Sequence, residues 1–112
     1  MIDSYAFGRI VIDGQSYTSD LILFPDRIFS PWWRKKGHIL CLDDLEEIPF
    51  EDYEVLIVGT GFFGAMKVEK EVQEFMRENG IQIFAKKTQA AARQYNDTGP
   101  HERVVGAFHL TC

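Results

Sequence analysis

The chain has 112 residues, with 12 basic and 17 acidic side chains and a formal charge of −5. That is the length of one domain, expected to span 1–112, and 46% hydrophobic residues are enough to build a core without staples. No apolar run is long enough for a transmembrane helix, the net negative charge opposes broad nucleic-acid binding, and two cysteines do not make a disulfide framework.

In chain order, Ala6–Ile12 reads as a strand, and Asp13-Gly14 followed by Ser16–Thr18 signals an antiparallel hairpin. Leu21–Phe24 is a short apolar strand stopped by Pro25-Asp26, and Ile39–Leu42 is another after an irregular stretch. A short helix is expected from Asp43 or Asp44, limited to about two turns by Pro49. Val55–Val58 is continuously apolar, as in a strand covered on both faces. Val68, Val72, Phe75 and Met76 then fall on one helical face, and Asn79-Gly80 ends the helix. Ile81–Ala85 is a strand, Thr88 starts a helix through Tyr95, Asn96–His101 is a turn, and Val104–Leu110 is a last strand.

This order predicts an α/β fold whose mixed sheet contains a right-handed βαβ unit over Val55–Ala85, with an antiparallel hairpin at the N-terminus.

Four stretches carry possible chemistry. Gly59-Thr60-Gly61-Phe62-Phe63-Gly64 follows a buried strand and precedes a helix, the setting in which glycines let backbone approach phosphate. The dinucleotide reading is weakened because Ala85, Lys86 and Lys87 stand where a ribose-binding acid belongs, and because the chain lacks a second mononucleotide half. The alternative is a glycine turn packed by Phe62, Phe63 and Met66.

His38/Cys41 and His109/Cys112 repeat an H-x-x-C spacing. Four such ligands suit zinc, but positions i and i+3 of a strand face opposite ways, and no metal site is assigned. Cys41 is expected in the core. Cys112 with His109 as base makes a nucleophile only against the adjoining terminal carboxylate.

Pro31-Trp32-Trp33-Arg34-Lys35-Lys36-Gly37-His38 mixes aromatics with cations. Either it holds an anionic ligand, with Arg34 as the bidentate contact, or one tryptophan fills the core while the cations stay solvated. Arg34 is also a candidate partner for the acidic run Asp43–Glu54, which otherwise reads as a solvated face without calcium-loop spacing.

Together these pieces resemble the Mth-domain family, which includes the adipogenesis-associated Mth-domain-containing protein and, more distantly, mitochondrial complex I assembly factor 3. The resemblance is carried by Tyr5-Ala6-Phe7-Gly8, Trp33-Arg34, Gly37-His38, Val55–Gly61, Asn79-Gly80-Ile81, Thr88 with Ala91, Tyr95-Asn96, and Gly106–Cys112. It implies a three-layer α/β domain and no assigned catalytic residue, its eukaryotic members being described as assembly or regulatory proteins.

The leading expectation is a non-catalytic binding or assembly domain in the cytoplasm, without cofactor, nucleic acid or membrane as partner. The alternative is a small anionic-ligand protein or enzyme, for a nucleotide or sugar phosphate. Its site residues are Arg34, His38, Gly59, Thr60, Gly61, Gly64 and Lys67.

Overall fold

The computed structural model describes residues 1–98 and 102–112. Strands β1 (Ile2–Ala6), β2 (Arg9–Ile12) and β3 (Gln15–Tyr17) form an antiparallel meander. The Asp-Gly hairpin is present between β2 and β3, with φ of 49° at Asp13 and 81° at Gly14, the left-handed pair a two-residue turn needs. The expected first strand is in fact two, because Phe7 and Gly8 turn the chain between β1 and β2.

The main sheet combines β4 (Leu21–Leu23), β5 (Ile28–Phe29), β7 (Val55–Thr60), β9 (Gln82–Lys86) and β10 (Val104–His109), in the order β5-β4-β10-β7-β9. Strands β10, β7 and β9 are parallel, while β4 runs antiparallel to β10 and β5 to β4. A small parallel pair joins β6 (Ile39–Leu40) to β8 (Lys67–Val68). Val68 therefore belongs to a strand rather than to the helical face expected for it, and α1 runs from Lys70 to Glu78.

Helix α2 spans Thr88–Thr98, so Asn96, Asp97 and Thr98 prolong the helix instead of turning; the rest of that expected turn, 99–101, lies outside the described residues. The short helix expected after Asp43 is two 3-10 turns, Leu42–Leu45 and Phe50–Asp52, separated at Pro49, whose missing N–H cannot continue a helix.

Alternation along the parallel strands divides the core. Leu56, Val58, Val105 and Ala107 face Val72 and Met76 of α1, together with Trp32 and Leu45. Ile57, Val104 and Phe108 face Ala91, Ala92 and Tyr95 of α2, together with Ile10 and Ile12 of the meander. The sheet is thus covered on both faces, which is why β7 and β10 are buried along nearly their whole length. Each fully buried aliphatic side chain contributes about 1.5–3 kcal/mol. The expected three-layer α/β domain with a mixed sheet and an N-terminal antiparallel element is what the chain forms.

Candidate functional site

The carboxyl ends of the parallel strands are where open α/β sheets place ligands. Here β7 ends at Thr60 and β10 at His109, and these two residues are register partners. His109 lies on the α1 face of the sheet, and its ring is turned toward two side chains from distant parts of the sequence. Its Nδ1 lies 2.7 Å from Asp20 Oδ2 and 3.0 Å from Arg34 Nη2, and Arg34 Nη2 lies 2.9 Å from the same Asp20 oxygen.

Arg34 Nη2 donates to the Gly37 carbonyl oxygen at 3.0 Å and pairs with the Asp20 carboxylate. The ring tautomer of His109 decides whether Nδ1 accepts from Arg34 Nη2 or donates to Asp20 Oδ2. Asp20 Oδ1 accepts from the Leu110 N–H at 2.7 Å. Burial pushes the Asp20 carboxyl up, but the bonds from His109, the Leu110 N–H and Arg34 outweigh it and hold the group below its ordinary value.

The side chains of Arg34 and His109 are only 5% and 6% exposed, and Asp20 is 17% exposed. Two polar atoms in this pair of buried groups, Arg34 Nη1 and His109 Nε2, have no hydrogen-bond partner among the described residues. The Trp32 ring packs beneath the guanidinium, 4.8 Å from its carbon, and its own N–H donates to the Asp44 carbonyl. His38 lies edge-on to His109, with ring centroids 6.0 Å apart.

The basic stretch therefore divides in a way neither reading of it anticipated. Trp32 fills the core and Lys35 and Lys36 are solvated, but Arg34 is buried and Trp33 is 79% exposed. Arg34 does not pair with the acidic run. Asp20 takes it, and Lys35 meets Asp43 instead at 2.6 Å. Nor is that run wholly solvated, because Asp44 is buried and accepts from the Lys35 and Cys41 N–H groups.

Cys41 is half-buried rather than core; Glu69 beside it and then partial burial push its thiol up, which keeps it protonated. Cys112 is exposed. Among the described residues no three His, Cys, Asp or Glu side chains are grouped to hold a metal ion.

The glycine turn lies beside this cluster and is bound into the fold. Gly61 N–H donates to Thr88 Oγ1 at 2.8 Å, and that hydroxyl donates to the His109 carbonyl at 2.6 Å. The N–H groups of Phe62 and Ala65 donate to Thr111 and Cys112, and those of Gly64 and Met66 to Gly61 and Thr60. These amides are already engaged. Helix α1 begins at Lys70, beyond the turn, while the start of α2 adjoins it through Thr88. Gly59 is needed for that approach, since a Cβ there would lie 2.8 Å from Thr88 Oγ1 and 2.9 Å from Phe108. Lys67 is exposed on β8, and its N–H donates to the His38 carbonyl. The seven expected residues thus lie around one end of the sheet. Asp20, His109 and Thr88, which tie that end together, were not among them.

The turn does something else with its side chains. Phe62 and Phe63 project into solvent, 40% and 66% exposed, and Phe7 of the β1–β2 turn joins them at 51%. Their rings meet edge-on, 5.8 Å between Phe7 and Phe62 and 5.0 Å between Phe62 and Phe63. Gly8 N–H and Tyr5 O–H both donate to the Leu110 carbonyl, which holds the meander against this end of the sheet. Lys87 adjoins Gly64.

A family described as a protein of unknown function (DUF498/DUF598) matches residues 2–109. The chain belongs to this family. It is similar in structure to a conserved hypothetical protein from Pyrococcus horikoshii OT3, at 26% identity and TM-score 0.83, covering 100% of this chain and 99% of that one. A protein from Bartonella henselae described as an outer membrane protein shares the fold at 23% identity and TM-score 0.80, covering 99% and 94%. So does an Mth938-like domain from Bordetella pertussis, at 22% identity and TM-score 0.63, covering 98% and 85%. The Mth-type resemblance read from the sequence agrees with these matches.

Proposed function

We propose that this member of the family is a non-catalytic binding domain that assembles with a protein partner through the surface formed by Phe7, Phe62 and Phe63. The exposure of three mutually contacting rings carries this reading. Contiguous apolar surface rimmed by polar residues marks interaction sites, and aromatic side chains supply much of the energy of interfaces. The exposed Lys87 adjoins Gly64 in the same turn as Phe62 and Phe63. Its charge favours a partner segment with acidic residues around an apolar anchor. The two unpaired thiols, Cys41 and Cys112, support a reducing compartment, the cytoplasm, as its setting.

Affinity capture tests this with the wild-type chain and the Phe7→Ser/Phe63→Ser variant. A partner retained by the first and lost by the second, at unchanged melting temperature, is the expected result. Equal retention by both overturns it.

A second reading is favoured by Arg34 Nη1 and His109 Nε2, buried and without partners among the described residues. A small anionic ligand would be held at Arg34, with His38, Gly59, Thr60, Gly61, Gly64 and Lys67 around the same end of the sheet. Thermal-shift screening with nucleotides, sugar phosphates and carboxylates tests it, and no shift in the wild type removes it.

A further inference from the structure

We infer that the cleft between the N-terminal meander and the β4–β5 turn binds an uncharged aromatic ring carrying a carbonyl, whose oxygen accepts a hydrogen bond from the Tyr95 hydroxyl. This site goes beyond both readings above, because it lies at the other end of the sheet. Leu23 pairs with Gly106 and Leu21 with Phe108, so the turn after β4 sits toward the start of β10, away from Thr60 and His109.

The cleft has a volume of about 460 Å³, and distant parts of the chain build it. Ile12 and Tyr17 come from the meander, Leu23 and Ile28 from β4 and β5, and Tyr95 from α2. The meander is tied to α2 beside Tyr95, where Asn96 Oδ1 accepts from the Ile2 N–H at 2.9 Å and Asn96 Nδ2 donates to the Ile2 carbonyl at 2.7 Å. Ile12 and Leu23, both buried, give the cleft an aliphatic wall.

Tyr95 carries the inference. It is 3% exposed, yet it lines this cleft. Its ring packs edge-on against Phe108, 6.2 Å between centroids, and its hydroxyl has no hydrogen-bond partner among the described residues. A buried tyrosine hydroxyl ordinarily finds one. Asp13, which also lines the cleft, acts on the phenol electrostatically, so the hydroxyl end of the ring is on the cleft side. Burial keeps the phenol protonated, and the group therefore offers a hydrogen.

The charges around the cleft are matched among themselves. Arg27 meets Asp26 at 3.2 Å and lies over the Phe24 ring at 3.9 Å, and the Met1 amino group meets Asp13 at 2.8 Å. An ion would leave water for aliphatic walls without gaining a counter-charge. A neutral ring instead buries apolar surface against Ile12, Leu23 and Ile28, and packs on the Tyr17 and Phe24 rings. Its carbonyl supplies the acceptor that Tyr95 lacks.

Titration with benzamide, followed by amide chemical shifts, tests this. The expected result is saturable shifts at Ile12, Tyr17, Ile28 and Tyr95, with a Kd on the order of 1 mM or tighter. Benzoate, the same shape with a charge, should give none at about pH 7. Tyr95→Phe removes only a hydroxyl without a partner, and it should weaken benzamide about tenfold. The benzamide and benzoate titrations need no variant, so a variant that fails to fold leaves the test intact. Equal affinity for wild type and Tyr95→Phe overturns the inference, as does benzoate binding as tightly as benzamide. Shifts gathered at Gly61 and His109 instead, or no saturable shift with benzamide, also overturn it.

Discussion

Arg34 and Asp20 form an ion pair 2.9 Å long, with the arginine side chain only 5% exposed. It closes the segment between β5 and β6 onto the start of β4, and His109 shares the same carboxylate oxygen. The end of the sheet is therefore held by charge and hydrogen bonds where the aliphatic core gives out.

Removing one partner of such a pair leaves the other buried and uncompensated. Asp20→Asn should cost about 3–5 kcal/mol at neutral pH, read from urea denaturation. The Asp20 carboxyl is held below its ordinary value by His109, the Leu110 N–H and Arg34 against the opposing effect of burial. Its contribution is therefore complete above the unfolded value near 3.9 and is lost as pH falls through the lower folded value. The gap between wild type and Asp20→Asn should narrow only below about pH 4. A gap that shrinks already between about pH 5 and about pH 8 would assign the effect to another group.

Thr88 is fully buried, accepting from the Gly61 N–H and donating to the His109 carbonyl. Thr88→Val keeps the shape and strands both partners, so a loss of about 1–3 kcal/mol is expected. Amide exchange should report it locally, with the Gly61 N–H losing protection. Unchanged protection there would show that the hydroxyl is dispensable.

Gly61 has φ +107°, and a Cβ on it would lie 2.5 Å from the Cys112 carbonyl oxygen. Backbone strain of about 1–3 kcal/mol adds to the cost of displacing the C-terminal segment. Gly61→Ala should therefore lower the melting temperature, while Gly14→Ala, with nothing within 4 Å, bears only the turn strain. Equal losses at both positions would contradict the packing of residues 111–112 against the turn.

Burial pushes the Tyr95 phenol up to about 12. The unfolded chain releases this proton near pH 10, so stability should fall between about pH 10 and about pH 12, by about 1.4 kcal/mol per unit. In Tyr95→Phe that part of the alkaline loss disappears. An unchanged slope would place the titration elsewhere.

The elements legible in the sequence were those whose signals are local. The Asp13-Gly14 turn, the apolar run at β7, the amphipathic face of α1 and the Asn79-Gly80 stop each depend on near neighbours in the chain. Asp20 was not legible as a site residue, because beside Ser19 and before Leu21 it looks like a turn residue. Its role arises only when β10 pairs with β4, which brings Leu110 and His109 to it across the whole sequence. Thr88 carried half a signal. It read as a helix cap, whereas its hydroxyl bridges the glycine turn and β10. The glycine turn itself was visible as a motif, but the commitment of its amides to residues 111 and 112 depends on where the C-terminal strand lies.

Photo-cross-linking reads out whether the aromatic surface meets a protein partner. A benzophenone side chain is placed at position 63 in the aromatic surface, or at position 73 on the exposed side of α1, in the cells that make the protein. The expected result is a single protein adduct from position 63, mapped to an acidic, apolar segment of that partner, and none from position 73. Adducts from position 73 with none from position 63 would contradict it.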